Sequence, residues 1–170
     1  MLETKQYKFW FATGSQDLYG DECVREVETH SKIMVEGLNA SGRLPYAVEF
    51  KGTLIDNASI RKLFNEANAD ESCAGVITWM HTFSPAKMWI LGLQEYRKPL
   101  LHLHTQFNQD IPYDTIDMDF MNTNQSAHGD REFGHIVSRM GIERKIVVGH
   151  WSDTRVQDRI GSWMRTAVGV

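Results

Sequence analysis

The sequence lacks the features that mark secreted and membrane-spanning proteins. It has only two cysteines, Cys23 and Cys73, too few for a disulfide framework or a thiolate zinc site. It contains no apolar run of about 18 residues, so we expect no transmembrane helix. The polar start, Met1–Gln6, does not have the basic and apolar regions of a signal peptide. The expected location is therefore the reducing cytoplasm.

The chain also lacks an excess of basic residues. Lys and Arg total 18, Asp and Glu total 22, and the formal net charge is −4. This balance argues against nucleic acid and anionic membranes as partners. With 42% hydrophobic and 24% charged residues among 170, the composition is typical of one globular domain, expected to span residues 1–170.

Short apolar segments alternate with segments of helical periodicity along the whole chain. The predicted strands are Lys8–Thr13, Ala47–Phe50, Ala74–Trp79, Leu100–His104 and Lys145–Gly149. The predicted helices begin at Asp21, at Asn57 as the N-cap, at Pro85 behind Ser84, at Asn124 and, last, around Val156. We expect the third helix to end near Arg97 and the fourth at Met140, before Gly141.

This alternation predicts an α/β fold with helices on both faces of a parallel sheet. Five strands suit the flavodoxin-like doubly wound order 2-1-3-4-5. Glu49 interrupts the second strand, which indicates an edge position. The longest stretch without a predicted element is Thr105–Thr123, and loops of that length often carry function.

Ligands of such folds bind beyond the carboxyl ends of the strands. Histidines follow or end three of these strands, as His81, His104 and His150, and glutamines follow two, as Gln16 and Gln106. Polar residues also fill loops without any function, so the positions alone leave both interpretations open.

The residues allow several weak chemical hypotheses. The turn Thr13–Ser15 could hold an anion such as flavin mononucleotide, although it is neither GxGxxG nor a P-loop. His102 and His104 share one strand face and could bind a metal, but local hydrogen bonding is the commoner role and no third ligand has an obvious spacing. Asp117 and Asp119 could bind a cation, but such residues more often cap a turn. Among the glutamates, only Glu132 lies on a helix that could approach the strand ends.

Four ordered blocks resemble the L-arabinose isomerase family. They read FWFATGSQDLYG (Phe9–Gly20), WMHTFSPAKMWI (Trp79–Ile90), PLLHLHTQFN (Pro99–Asn108) and IDMDFMNTNQSAHGDRE (Ile116–Glu132). The similarity runs from about Tyr7 to about Val168. It implies the N-terminal domain of a cytoplasmic, homohexameric isomerase that converts L-arabinose to L-ribulose and, in some members, D-galactose to D-tagatose.

The resemblance also implies where the chemistry lies. The family uses a divalent cation, usually Mn²⁺, held by two glutamates and two histidines beyond the position that matches Val170. We therefore expect no catalytic residue and no metal ligand in this chain, no cofactor bound by it alone, and no activity of the isolated chain. By motif matching, the substrate-binding residues are Gln16, Leu18, Phe83, Gln125 and His128.

Two positions depart from the family pattern. Asp17 stands where the family motif usually reads G-S-Q-H-L-Y-G, and His135 replaces a residue that is usually aromatic. Two alternatives to the isomerase domain also stay open. One is a stand-alone sugar-binding or assembly module without catalysis, and the other is a flavodoxin-like electron carrier.

Overall fold

The computed structural model describes residues 6–169, apart from the side chain of Tyr19, and contains a five-stranded, all-parallel sheet. The strands are β1 (Lys8–Gly14), β2 (Ala47–Leu54), β3 (Cys73–Met80), β4 (Leu100–His104) and β5 (Lys145–Val148). Their order is β2-β1-β3-β4-β5. The predicted flavodoxin-like doubly wound arrangement is confirmed.

The strands lie where the apolar runs predict them. All eight residues of β3 are buried, which is typical of a central parallel strand covered on both faces. The edge position of β2 is confirmed, and the strand extends to Leu54, past the predicted end at Phe50.

Within residues 6–169, five α-helices connect the strands and a sixth follows β5. They are α1 (Gly20–Ala40), α2 (Asn57–Ala69), α3 (Ile90–Glu95), α4 (Met118–Thr123), α5 (Ser126–Arg139) and α6 (Thr154–Val168). The N-cap of α2 is Asp56, not the predicted Asn57, because the Asp56 carboxylate accepts the Ser59 N–H at 2.7 Å. Gly141 follows α5 with φ 67°, which only glycine adopts at little cost.

The single helix predicted from Pro85 to Arg97 is wrong. A 3₁₀ helix spans Ala86–Trp89, and the short α3 follows it. Pro85 itself is not helical, with ψ 118°. The Ser84 hydroxyl, expected to cap the helix, instead accepts the Trp89 indole N–H at 3.0 Å.

The stretch 105–123, predicted as unassigned, ends in α4. Asp117 caps this helix, because its carboxylate accepts the Phe120 N–H at 2.8 Å. Of the two roles considered for Asp117, helix capping is the one that matches this hydrogen bond. Helix α5 starts at Ser126, two residues after the predicted Asn124.

Two apolar layers hold the helices on the sheet. On one face, Phe9, Phe11 and Trp79 pack with residues of α1 and α6. On the other, Trp10 and Met80 pack with residues of α2, α3 and α5. The aromatic residues of neighbouring positions thus alternate between faces, as strand geometry requires. Within residues 6–169, no helix is long and apolar enough to cross a membrane.

Candidate functional site

Two loops and the first turn of α5 meet where the strand order reverses between β1 and β3. The hydroxyls of Ser15 and Thr82 lie 2.9 Å apart, and the Ser126 hydroxyl donates to the His81 carbonyl at 3.3 Å. These contacts join the segments 15–18, 81–84 and 125–128, which we call the loop junction. Such a reversal is the usual binding position in open α/β sheets.

All five substrate-binding residues predicted from the resemblance lie on the loop junction. Gln16 is buried, whereas Leu18 is 77% exposed. Phe83 and Gln125 are half-buried, and His128 is exposed. The loop junction therefore holds both buried and exposed side chains. The exposed ones, Leu18 and His128, can contact a ligand or another chain.

Phe83 and His128 are in direct contact. Their ring centroids lie 4.7 Å apart, although Phe83 lies in the loop after β3 and His128 in the first turn of α5. His128 Nε2 also lies 3.9 Å from a carboxylate oxygen of Glu132, one turn further along α5. The other Glu132 oxygen faces the Ala86 N–H at 3.5 Å, so this carboxylate is directed at the 3₁₀ helix and not at the strand ends.

The turn after β1 has few free donors for a phosphate. The Ser15 N–H donates to the Leu54 carbonyl at 2.9 Å, and the Ser15 hydroxyl is paired with Thr82. A Cβ on Gly14 would lie 2.4 Å from the Met80 sulfur, so this turn is packed against the protein. These contacts weaken the flavin mononucleotide hypothesis.

A separate cleft of about 780 Å³ opens beside the ends of β4 and β5. We call it the β4–β5 cleft. Its walls include His104, Gln125, Asp130 and His150 together with apolar residues of the segment 111–121. Of the predicted substrate-binding residues, only Gln125 is among those that line it.

Three polar side chains form a hydrogen-bonded cluster at the inner end of this cleft. His102 Nε2 lies 2.7 Å from Asp130 Oδ1, and His102 Nδ1 lies 3.0 Å from His104 Nε2. His104 Nδ1 lies 3.7 Å from Asp130 Oδ2. His102 is fully buried and Asp130 nearly so. Within residues 6–169, this is the group of histidines and carboxylates compact enough to hold a metal ion.

Burial favours the neutral forms of this cluster. It raises the pKa of Asp130 to about 8, partly offset by a hydrogen bond from the Met80 backbone. Burial, together with the charges of His104 and Arg144, lowers the pKa of His102 to about 2. The pKa of His104 is also lowered, first by burial and then by the Arg144 charge. Both imidazoles are therefore neutral at pH 7.

A second histidine pair lies at the end of β3. His81 Nε2 and His30 Nδ1 are 2.8 Å apart, and the His81 ring stacks on Trp79 with centroids 4.3 Å apart. Burial, then the charge of His30, lowers the pKa of His81 to about 3. His81 Nδ1 is buried without a hydrogen-bond partner. The pair therefore has little capacity to take up a proton near pH 7.

The sequence did not reveal Asp130 as a partner of His102 and His104. Its 26-residue separation from His104 follows from the packing of α5 against β3 and β4, which no local spacing encodes. The sequence alone shows no carboxylate partner for His104, and the fold supplies Asp130. Trp79 and Trp89 are fully buried. The exposed apolar side chains lie elsewhere, among them Ile111, Tyr113, Ile116, Met118 and Met121.

The chain is similar in sequence to known proteins over almost its whole length. The family model of the L-arabinose isomerase N-terminal domain matches residues 3–170. An L-arabinose isomerase of Halalkalibacterium halodurans is 64% identical over 98% of this chain and 34% of its own length. Those of Geobacillus kaustophilus and Clostridium beijerinckii are 62% and 64% identical, each over 99% of this chain and 34% of their own length.

The match leaves no part of the described sheet uncovered, and it spans about a third of the length of these curated relatives. It includes the loop junction and the residues that surround the β4–β5 cleft. The chain belongs to the L-arabinose isomerase N-terminal domain family.

Proposed function

We propose that this chain is the substrate-pocket and assembly domain of an aldose–ketose isomerase that converts L-arabinose to L-ribulose. The observation that carries the proposal is an identity above 60% over almost the whole chain with proteins named L-arabinose isomerase. Activity on D-galactose and a cytoplasmic location are parts of the same proposal and rest on the resemblance.

The loop junction supports the substrate-pocket role. Leu18 and His128 project from segments that buried hydrogen bonds hold in place. Phe83 supplies an apolar ring against which a sugar face can lie, and the Gln16 and Gln125 amides are groups that hydrogen-bond hydroxyls. In the full protein we assign these five side chains to the sugar pocket of the same subunit or of a neighbouring one.

The exposed apolar segment supports the assembly role. Tyr113 is 79% exposed, Met118 66% and Met121 52%. Met121 lines the β4–β5 cleft, and exposed apolar residues grouped in one segment usually mark interfaces. We propose that a second copy of the chain or the remaining isomerase domains cover the segment 111–121 in a homo-oligomer, which the resemblance implies is a hexamer.

The manganese centre implied by the resemblance does not fit the residues described here. It needs two glutamates and two histidines on one ion. Glu132 is directed at Ala86, and within residues 6–169 no glutamate belongs to the compact histidine cluster. We therefore propose that the isolated chain does not catalyse the isomerisation.

The test of the pocket role uses a protein in which this chain is followed by the remaining isomerase domains. His128→Ala is expected to lower ribulose formation at least tenfold while the melting temperature stays unchanged, because the side chain is exposed. His135→Ala, an exposed histidine on the same helix, is the matched control. Equal activity of the two variants would contradict the assignment of His128 to the pocket.

A further inference from the structure

We propose that His104 Nδ1 and Asp130 Oδ2 form a binding site for one divalent cation of the Zn²⁺, Co²⁺ or Ni²⁺ class. His102 holds both ligands in place. The resemblance assigns no metal ligand to this chain, so the site goes beyond the proposed isomerase domain. Imidazole nitrogen combined with carboxylate oxygen is a ligand set that these ions prefer.

The hydrogen bonds of the cluster prepare both ligand atoms. A neutral imidazole has one N–H and one lone pair. Once Asp130 has released its proton, His102 donates its Nε2–H to the carboxylate, so its Nδ1 must accept the Nε2–H of His104. His104 then presents the lone pair of Nδ1, and Asp130 keeps Oδ2 free of the bond to His102. Histidine–carboxylate contacts of this kind orient ligands around known metal centres.

The separation of the two ligand atoms suits one ion. They lie 3.7 Å apart, whereas a tetrahedral ion with bonds of about 2.1 Å holds its ligands about 3.4 Å apart. A shift of a few tenths of an ångström closes the site. Both residues line the β4–β5 cleft, so water or the oxygens of a small ligand can fill the other coordination positions.

The same geometry excludes His102 as a third ligand. Coordination through His102 Nε2 would place its proton on Nδ1, facing the Nε2–H of His104 across 3.0 Å. Two N–H groups cannot point at each other at that distance without breaking the contact. His102 is therefore a positioning residue, and the site has two protein ligands with open positions.

The charges of Asp130 and Arg144 determine how tightly the site is expected to bind the cation. Burial favours the neutral form of Asp130, so its carboxyl releases a proton to solvent when the ion binds, and the cation then offsets the cost of the buried negative charge. Arg144 acts in the opposite direction, because its charge reaches both histidines. The site is therefore expected to bind with micromolar rather than nanomolar affinity.

The experiment is calorimetric titration of the 170-residue chain, freed of metal with a chelator, with Zn²⁺ alone. We expect one ion per chain with micromolar affinity. His104→Gln and Asp130→Asn should each weaken binding at least tenfold. Binding that is absent, or unchanged in both variants, would overturn the proposal.

His128→Gln is the matched control, because His128 and Glu132 on the α5 surface are the competing exposed pair. It should leave the affinity within twofold. If it removes the binding instead, the ion is held on the α5 surface and the proposal is wrong.

A second measurement does not depend on any variant. Histidine side-chain ¹⁵N spectra of the wild-type chain should show Zn²⁺ shifting Nδ1 of His104, while His102 stays uncoordinated with its proton on Nε2. A zinc-dependent shift confined to His128, His135 or His150 would overturn the proposal.

Discussion

His102 Nε2 and Asp130 Oδ1 lie 2.7 Å apart, although one atom belongs to the middle of a buried strand and the other to a helix. Both side chains are shielded from solvent, so the loss of either leaves the other with an unmet hydrogen bond. The contact therefore fixes α5 against β4 and thereby positions both the cleft and the α5 end of the loop junction.

Asp130→Ala is expected to lower the free energy of unfolding by about 2–3 kcal/mol, because it leaves buried polar groups without their partner. Asp130→Asn should cost less than half as much, since an amide oxygen can still accept the His102 N–H. Urea unfolding of both variants measures the difference. Equal and small losses would show that the contact contributes little to folding.

The strand positions could be predicted from sequence because their signal is local. Runs such as Phe9–Ala12 are continuously apolar, and glycine or proline bounds several of the predicted strands. The substrate-binding residues of the loop junction could be named only from the resemblance, because Gln16, Phe83 and His128 lie in three separate motifs. No periodicity in the chain pairs Phe83 with His128.

The parts that sequence reasoning missed depend on tertiary packing. Ser84-Pro85 is a typical helix start. In the structure, however, the Ser84 hydroxyl accepts a hydrogen bond from the Trp89 indole, and the chain forms a 3₁₀ helix. The Asp130 cluster was missed for a similar reason, since β4 and α5 meet only in the folded chain. Local sequence patterns are therefore enough to predict the sheet, whereas the arrangement of the site depends on long-range hydrogen bonds.

Gly129→Ala is expected to destabilise the protein by about 1–3 kcal/mol, the range for overpacking. A Cβ at this position would lie 2.7 Å from the Thr82 carbonyl and 2.9 Å from Met80 Cβ. Helix α5 would have to move away from β3 and from the loop junction. Thermal unfolding measures the loss.

The matched control for this prediction is Gly134→Ala on the same helix. Its Cβ would meet the end of the flexible Arg144 side chain at 3.1 Å, which can shift. We expect it to be neutral or to stabilise by up to about 1 kcal/mol, since alanine favours helix over glycine. Equal losses for the two variants would contradict the close approach at Gly129.

The buried His81 predicts a fall in stability on acidification. Its pKa is about 3 in the folded chain, against about 6.5 when unfolded. Between these values the unfolded state binds more protons, so the free energy of unfolding decreases as the pH falls from about 6.5 to about 3. One such group contributes a slope of up to about 1.4 kcal/mol per pH unit.

His81→Phe should flatten this acid dependence, since the ring stays but no proton binds. His30 is the titratable group that faces His81, and its pKa is also lowered by burial, so part of the dependence will remain. Urea unfolding between pH 4 and 7, with the exposed His135→Asn as control, tests the prediction. Parallel curves for His81→Phe and wild type would refute it.

The exposed apolar residues predict concentration-dependent association of the 170-residue chain. Met118→Lys combined with Met121→Lys should shift it toward monomer, because charges on a contact surface must lose their hydration. Light scattering over a concentration series checks this. A wild-type chain that stays monomeric at high concentration would argue against the segment 111–121 as an interface between copies.

The final prediction is that the 170-residue chain does not convert L-arabinose to L-ribulose, with or without added Mn²⁺. Proton transfer between two carbon atoms needs a base within about 3 Å of the substrate proton. Glu132 is turned toward Ala86, and Asp130 is hydrogen-bonded to His102 at the inner end of the β4–β5 cleft. Gln16, Leu18 and Phe83 can shape a pocket but cannot accept a proton from carbon. Ribulose assays of the chain with Mn²⁺ and with chelator, beside a full-length L-arabinose isomerase, decide it. Metal-dependent turnover above the chelated sample would place a complete active site within Met1–Val170, and loss of that turnover in Asp130→Asn would identify its base.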